Sequence, residues 1–384
     1  MLKRNRLYNQ INTALQRSRC VALLGPRQCG KTTIARLIAK EAKSTFLDLE
    51  DPEDQARLTN PKMALEKLEG LVILDEIQLY PDLFPILRVL LDRTPLPAKF
   101  LILGSASPTL LQNSSETLAG RIEFIDMSGF SIEETGSGEL LKRWVRGGFP
   151  LSFLAREEDS FAWRSNYIRT FLERDLRKIG VDLPPPTLRR FLLMLSHYHG
   201  QNWNASQLAN SMDLTGPTVK KYLDIMTGAY MVRQLPPWFE NLGKRLVRSP
   251  KIYIRDSGIF HYLADIKNMD ALEANPAYGQ SWEGFALEEI LHRTGDENGY
   301  FWRTQAGAEL DLLLMRGNRR IGFEFKCSES PKTSKSMAIA IKDLNLSHLY
   351  IVYPGKSTFP IKDTITALSL TDSIADKMWA ELRG

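Results

Sequence analysis

The sequence predicts an α/β protein with a parallel β-sheet in its N-terminal part. Over this part, short apolar runs alternate with amphipathic stretches. Within each run the apolarity is continuous, which is typical of strands buried on both faces of a parallel sheet. The predicted strands are residues 20–24, 45–49, 71–74, 100–103 and 121–125.

The length of 384 residues predicts more than one domain. Two stretches suggest boundaries: a loop-like run that begins at Glu133 (Glu-Glu-Thr-Gly-Ser-Gly), and the Pro-Pro-Pro sequence that ends at Pro186, which no helix can cross. The predicted domains are the sheet-containing core (1–135), a helical connector (136–186), a basic region with short helices (187–262) and a C-terminal α/β domain (263–384).

The composition narrows the class of protein. With 43% hydrophobic and 25% charged residues, the chain resembles an ordinary soluble globular protein. No apolar run approaches the ~20 residues that span a bilayer, and no apolar signal core follows the basic N-terminus. We therefore expect a cytoplasmic protein without a membrane partner. The three cysteines are widely spaced and lack a CxxC pair, which indicates neither a disulfide framework nor a zinc site.

Residues 25–32 (Gly-Pro-Arg-Gln-Cys-Gly-Lys-Thr) match the phosphate-binding pattern G-x-x-x-x-G-K-[ST], between a predicted strand and a predicted helix. Backbone N–H groups of such a loop wrap phosphates at a helix N-terminus. We expect Lys31 to neutralise the β- and γ-phosphates and Thr32 to hold Mg²⁺. The predicted ligands are ATP and Mg²⁺, and the predicted ATP-binding residues are Gly25, Pro26, Arg27, Gln28, Cys29, Gly30, Lys31, Thr32 and Thr33. Because Cys29 lies in this loop, we expect a thiol reagent to block ATP binding.

Asp75 and Glu76 follow the predicted strand 71–74. Ligands of open α/β sheets lie at the carboxyl ends of the strands. We therefore expect Asp75 to hold Mg²⁺ through water and Glu76 to polarise the attacking water, which favours a hydrolase over a binding protein. The alternative is an Asp-Glu pair that caps a helix.

Two further residues are catalytic candidates. Ser105 follows the strand 100–103, where it either contacts the γ-phosphate or orients water, or else caps with Ser107 a helix predicted to begin near Pro108. Arg121 is either an arginine finger that acts across a subunit interface or an exposed structural arginine. The first alternative for Arg121 implies a homo-oligomer, and the second is compatible with a monomer.

The region 187–255 is basic, with ten Lys/Arg residues against three Asp/Glu residues. Residues 204–210 and 217–226 predict two short helices around a tight turn, and residues 231–235 and 251–254 predict extended stretches. This pattern predicts a winged helix-turn-helix. In a DNA-binding protein, the residues facing the major groove would be Thr218, Lys220 and Lys221, and those facing phosphates would be Lys244, Arg245 and Arg248. The alternative is a scaffold or protein-contact module.

The C-terminal domain contains a predicted hairpin with Gly317-Asn318 as its two-residue loop. This register sets Asp311 opposite Glu324 and Glu309 opposite Lys326. Carboxylates placed opposite each other, with Cβ atoms roughly 5 Å apart, repel unless a divalent cation lies between them. Alternation places the apolar residues Leu310, Leu312, Leu314, Ile321, Phe323 and Phe325 on the other face of the hairpin. The alternatives are a solvent-facing hairpin with a salt bridge, or a slip by one residue.

Together these motifs resemble those of prokaryotic AAA-type P-loop ATPases that carry a C-terminal domain of unknown function. The matching stretches are residues 25–32, 74–78, 104–107, 118–121, 146–150, 171–175 and 249–258. The resemblance implies a C-terminal core like that of restriction endonucleases, of the PD-(D/E)xK type. In that core Asp311 and Glu324 would bind a second metal ion beside Lys326, with Glu283 on a preceding helix as a further acidic ligand.

The leading hypothesis is therefore an ATP hydrolase coupled to a DNA-associated and nucleolytic C-terminal domain. A rival from another class is a nucleotide-dependent switch or adaptor that binds a protein partner and has an inactive nuclease-like fold. A third is a binding module with negligible hydrolysis of ATP.

Overall fold

The computed structural model describes residues 2–107, 118–239, 249–372 and 379. The chain folds into two compact units that alternate along the sequence. The first unit contains Met1–Gly129, Arg169–Pro185 and Asp224–Met231, and the second contains Phe130–Ile168, Pro186–Leu223 and Val232–Gly384. The connector predicted at 136–186 thus contributes to both units, and the four predicted domain bounds stay a prediction.

A five-stranded sheet lies at the centre of the first unit. Its strands are β1 (Cys20–Leu24), β2 (Ser44–Asp48), β3 (Gly70–Asp75), β4 (Ala98–Gly104) and β5 (Ile122–Asp126). The order is β2-β3-β4-β1-β5, and every pairing is parallel. The five predicted strands and the parallel sheet are confirmed. Because the strands are parallel, the segments after β1, β3 and β4 emerge at the same edge.

The helices of the first 91 residues are α1 (Asn5–Arg17), α2 (Lys31–Ala39), α3 (Pro52–Arg57), α4 (Pro61–Glu66) and α5 (Leu83–Leu91), with a 3₁₀ turn at Ile77–Leu79. Both α3 and α4 begin with proline, after Asp51 and Asn60 whose side chains accept an N–H of the first turn. The apolar face of α5 packs with residues of β1, β3 and β4 in one buried cluster.

The next segment is helical, as predicted for the connector. It contains α6 (Ile132–Thr135), a 3₁₀ turn (Ser137–Glu139), α7 (Leu140–Arg146), α8 (Pro150–Leu154), α9 (Glu157–Thr170), a π-helical turn (Phe171–Asp175) and α10 (Leu176–Lys178). The prediction of a loop at Glu133 is wrong, because α6 occupies this position. Ser131 and Glu134 form a capping box at its start, and Gly136 ends it with φ of +92°.

The basic region contains α11 (Pro185–His197), β6 (Gln201–Asn202), α12 (Ala205–Met212), α13 (Gly216–Gly228), β7 (Val232–Leu235) and β8 (Lys251–Ile254). The strands form an antiparallel sheet in the order β6-β8-β7. The two predicted helices and the tight turn between them are confirmed, with Asp213 in the left-handed conformation at the end of α12. The winged-helix assignment stays a prediction.

The C-terminal part contains α14 (Ser257–Leu263), α15 (Met269–Glu273), α16 (Tyr278–Thr294), β9 (Gly299–Arg303), β10 (Glu309–Arg316), β11 (Arg319–Phe325), α17 (Lys335–Leu344), β12 (His348–Tyr353), β13 (Phe359–Lys362) and β14 (Ile365–Ser369). The six strands form a mixed sheet in the order β13-β14-β12-β11-β10-β9. In the part of the chain that the structure describes, no helix is long and apolar enough to cross a membrane.

The hairpin of β10 and β11 has the predicted register from Leu312 to Arg316, since Leu312 pairs with Phe323 and Leu314 with Ile321. Leu310 departs from the prediction. It packs with Leu313 in one cluster, whereas Leu312 and Leu314 belong to another. The reason is a bulge between Leu310 and Leu313 in the pairing of β10 with β9, because an extra residue reverses the alternation of faces.

Candidate functional site

The loop between β1 and α2 has the backbone that a phosphate-binding loop requires. A Cβ atom on Gly25 would lie 1.9 Å from the carbonyl oxygen of Met127. Gly30 adopts φ of +104° immediately before α2, a conformation that favours glycine. The N-terminus of α2 therefore opens onto this loop, where backbone N–H groups and the helix dipole attract anions.

Lys31 and Thr32 begin α2 and lie beside the end of β3. The buried ammonium of Lys31 donates to the carbonyl oxygens of Gly25 (2.8 Å) and Pro26 (2.9 Å). The hydroxyl of Thr32 donates to Oδ2 of Asp75 at 2.7 Å. Burial raises the pKa of the Asp75 carboxyl, and the Thr32 hydrogen bond opposes this. A hydroxyl and a carboxylate at this distance are oxygen donors that suit Mg²⁺.

Glu76 is held by two polar side chains. Nε2 of Gln78 and Oγ of Ser105 both donate to its Oε2, the latter at 3.1 Å. Gln78 also donates to Oγ of Ser105 at 2.9 Å. Ser105 thus contacts the predicted catalytic carboxylate. The role of Gln78 was not predicted from the sequence, although this residue stands two residues after Glu76. The helix predicted near Pro108 lies outside the described residues.

Arg27 contacts acidic residues from three separate segments of the first unit. Its guanidinium pairs with Asp175, lies 2.5 Å from Oε1 of Glu50 and lies 3.5 Å from Oε1 of Glu76. Burial alone would lower the pKa of Arg27, but the three carboxylates outweigh it and raise the pKa above its usual value. Lys178 also pairs with Glu50. Arg27 was predicted from the sequence as a residue of the loop, but its acidic partners were not.

The remaining loop residues differ in exposure. Gln28 and Thr33 are exposed. Cys29 is fully buried, with its Sγ 3.7 Å from the carbonyl oxygen of Met127. The expectation that a thiol reagent blocks ATP binding assumed an accessible thiol, and this assumption is wrong because the folded loop shields the sulfur.

Arg121 precedes β5 and forms a bidentate pair with Asp92, with Nε–Oδ1 of 2.6 Å and Nη2–Oδ2 of 2.9 Å. Ile122, the next residue, pairs with Cys20 at the start of β1. The phosphate-binding loop, in contrast, follows Leu24 at the end of β1. Arg121 therefore lies at the opposite edge of the sheet from Lys31. Its action on a neighbouring subunit stays a prediction.

In the second unit, the buried Lys251 occupies the centre of a group of acidic residues. Its Nζ lies 2.5 Å from Oε1 of Glu309, 3.0 Å from Oε1 of Glu283 and 3.2 Å from Oδ1 of Asp311. The hydroxyl of Tyr253 donates to Oε1 of Glu283 at 2.6 Å. We call these five residues the Lys251 cluster. Burial alone would lower the pKa of Lys251, but the acidic neighbours hold it well above its usual value.

Glu324 and Lys326 form a separate pair beside this cluster, with Nζ 3.0 Å from Oε2. Burial and the nearby Asp311 raise the pKa of Glu324 to about 8. Burial likewise raises the pKa of Glu283 to about 7. Among the described residues, no group of three or more His, Cys, Asp or Glu side chains is arranged to hold a metal ion. Asp311, Glu324 and Glu283 are therefore neighbours but are not arranged as the predicted metal site, since the Lys251 ammonium pairs with both Asp311 and Glu283.

The candidate DNA-binding residues are only partly described. Lys220 and Lys221 are exposed on α13. Oγ1 of Thr218 lies 2.8 Å from Oγ1 of Thr215, which also accepts the Thr218 N–H at the start of α13. Lys244, Arg245 and Arg248 lie outside the described residues. DNA contact by these side chains stays a prediction.

Three protein families match the chain in succession. An AAA domain matches residues 17–136, the domain of unknown function DUF8612 matches residues 137–270, and the domain of unknown function DUF4143 matches residues 278–372. The parallel sheet, the phosphate-binding loop and the AAA match define a P-loop domain of the AAA class in the N-terminal part of the chain and support ATP binding.

The full chain also has close relatives. It is 49% identical over 388 aligned residues to the uncharacterized protein Rv2008c of Mycobacterium tuberculosis and equally to the uncharacterized protein Mb2031c of Mycobacterium bovis, covering 100% of this chain and 88% of each relative. The chain belongs to the family of these mycobacterial proteins. A solved Walker-type ATPase of Pyrococcus abyssi, PABY2304, is 15% identical with a TM-score of 0.48, over 69% of this chain and 96% of its own. This last likeness carries no functional argument.

Proposed function

We propose that the protein is a Mg²⁺-dependent ATPase of the AAA class. The observation that carries this proposal is the contact between the Thr32 hydroxyl and the Asp75 carboxylate at the N-terminus of α2, with Glu76 next in the chain. Thr32 and Asp75 would hold Mg²⁺, which when bound neutralises phosphate charge.

The chain's own residues divide the remaining work. Lys31 binds the β- and γ-phosphates. To do so, its ammonium gives up its hydrogen bonds to the carbonyl oxygens of Gly25 and Pro26 and donates to phosphate oxygens instead. Glu76 accepts a hydrogen bond from the attacking water, orients it toward the γ-phosphate and accepts its proton as the water attacks. Ser105 and Gln78 fix the rotamer of Glu76 through the hydrogen bonds to its Oε2. A positioned carboxylate of this kind contributes typically about 10²- to 10⁴-fold to a rate.

The test is phosphate release by the purified full chain with ATP and Mg²⁺. We expect phosphate release by the Lys31→Ala variant to fall to the background rate, because the loop no longer neutralises the transferred phosphate. An exposed lysine of the same unit, Lys62, provides the control, and Lys62→Ala should match wild type. Wild-type release no faster than that of Lys31→Ala would refute the ATPase.

A second proposal concerns the C-terminal domain. The Lys251 cluster favours the nucleotide-dependent switch, with an inactive nuclease-like fold, over a nuclease. The Lys251 ammonium already neutralises Glu283 and Asp311, two of the three carboxylates that a PD-(D/E)xK site would use. Cutting would require this buried ammonium to leave both partners. The basic region would then contact a protein partner rather than DNA.

Incubation of the full chain with plasmid, ATP and Mg²⁺ tests this second proposal. We expect no cutting by wild type and none by Glu324→Ala. Retention on DNA should be weak and insensitive to salt, since phosphate contacts impose a steep salt dependence. Cutting that disappears in Glu324→Ala would restore the nuclease hypothesis, and strongly salt-dependent retention that weakens in a Lys220→Ala/Lys221→Ala variant would restore DNA contact.

A further inference from the structure

Arg27 brings together three segments that are far apart in the sequence. Glu50 follows β2, Glu76 follows β3, and Asp175 ends the π-helical turn Phe171–Asp175, 148 residues after Arg27. The Arg27 guanidinium is 17% exposed, and the Asp175 carboxylate is 8% exposed. Ion pairs with this little exposure are weakly screened by solvent, so a change of partner has an appreciable energetic effect.

The place of Arg27 next to Glu76 puts it near the reacting end of ATP. The loop that carries Arg27 is the loop that wraps the phosphates, and Glu76 is adjacent to Asp75, which Thr32 contacts. The guanidinium lies 3.5 Å from Oε1 of Glu76, the carboxylate to which we assign the attacking water. A guanidinium forms bidentate hydrogen bonds with phosphates as well as with carboxylates. The γ-phosphate of ATP therefore competes with Asp175 and Glu50 for Arg27, and ADP has no γ-phosphate to do so.

We propose that Arg27 is a catalytic arginine that binds the γ-phosphate within its own subunit and releases Asp175 when ATP is bound. This inference rests on the proposed ATPase. It also assigns a role to the π-helical turn: Asp175 is anchored to the loop in the absence of the γ-phosphate and freed in its presence. Lys178 keeps the following turn paired with Glu50 in both states. π-helical turns occur frequently at functional sites. The position of the turn Phe171–Asp175 at this ion pair therefore fits a segment that senses the nucleotide.

The test compares the affinities of two nucleotides, ATPγS and ADP, measured by calorimetry with Mg²⁺ on the full chain. Arg27→Ala should weaken ATPγS binding by about tenfold or more and ADP binding by less than about threefold, with Arg27→Lys between it and wild type. Asp175→Asn should strengthen ATPγS binding by at least about fivefold and leave ADP binding unchanged, because competition for Arg27 is reduced. In phosphate release, Arg27→Ala should lower kcat by about 10³-fold.

The opposite signs of the two variants separate catalysis from structural anchoring. If Arg27 only anchors the π-helical turn, Arg27→Ala and Asp175→Asn break the same ion pair and must change both affinities in the same direction, which would overturn the inference. Asp175→Asn also keeps the test decisive if Arg27→Ala does not fold. If wild type binds both nucleotides and neither variant changes the ratio of the two affinities, the inference about Arg27 is overturned but the proposed ATPase is not. Wild type that binds neither nucleotide overturns the proposed ATPase as well.

Discussion

Replacement of Glu76 by Gln is expected to lower ATP hydrolysis by about 10²- to 10⁴-fold while ATP binding stays within about threefold of wild type. The amide keeps the size of the side chain and its ability to accept hydrogen bonds from Ser105 and Gln78, but it cannot accept the proton of the attacking water. The substitution therefore removes the chemistry and preserves the site. Phosphate release at saturating ATP and calorimetric titration with ATPγS measure the two quantities.

Two comparisons make this result specific. Glu66 is an exposed residue of the same unit, at the end of α4, and Glu66→Gln should hydrolyse ATP like wild type. Lys31→Ala should lose binding and hydrolysis together, whereas Glu76→Gln should lose only hydrolysis. Full hydrolysis by Glu76→Gln would show that another group activates the water. A parallel loss of ATPγS binding would show that Glu76 acts through the shape of the loop.

Replacement of Lys251 by Met is expected to destabilise the protein by about 3–5 kcal/mol at pH 7, because it leaves buried acidic side chains without their cation. The side chain of Lys251 is 2% exposed, so solvent cannot take over its role. Met keeps an unbranched apolar side chain in place of the Lys251 stem and removes only the terminal ammonium. Urea unfolding of the full chain, followed by tryptophan fluorescence, measures the change in the free energy of unfolding.

The loss of stability in Lys251→Met depends on pH with a definite sign. Without the ammonium, burial and mutual repulsion raise the folded-state pKa of the clustered carboxyls above the unfolded-state value. Stability is therefore retained at low pH, where these groups are protonated, and lost as pH rises. We expect the difference in the free energy of unfolding between wild type and Lys251→Met to be smaller at pH 5 than at pH 8. In wild type, burial already raises the pKa of Glu283 to about 7.

Matched variants separate charge from packing. Lys332→Met, at an exposed position of the same unit, should change the free energy of unfolding by less than about 0.5 kcal/mol. Adding Glu283→Gln and Asp311→Asn to Lys251→Met should recover most of the lost stability. The remaining carboxylate of the cluster, Glu309, is partly exposed and still has Arg303 3.6 Å from its Oε2. A Lys251→Met protein as stable as wild type at pH 8 would contradict the central role of the ammonium.

Local patterns predicted much of this fold. The central strands β1, β3 and β4 were predictable because each is a short apolar run, and the burial of such a run on both faces requires no knowledge of its neighbours. The β10–β11 register was predictable because a two-residue loop fixes the pairing of its flanking strands. The face on which Leu310 lies was not predictable, because the bulge arises in the pairing of β10 with β9, a strand outside the hairpin.

For the candidate ATP site, the sequence by itself determined the loop, Asp75 and Glu76, since these residues occur in contiguous motifs whose backbone geometry is local. Only the tertiary structure decided which charges meet. Arg27 and Asp175 are 148 residues apart, and Lys251 and Asp311 are 60 apart. In the sequence Lys251 counted as one more positive charge of a basic region. The physical reason is that an ion pair depends on the distance between side chains and on burial, and both are set by the packing of remote segments.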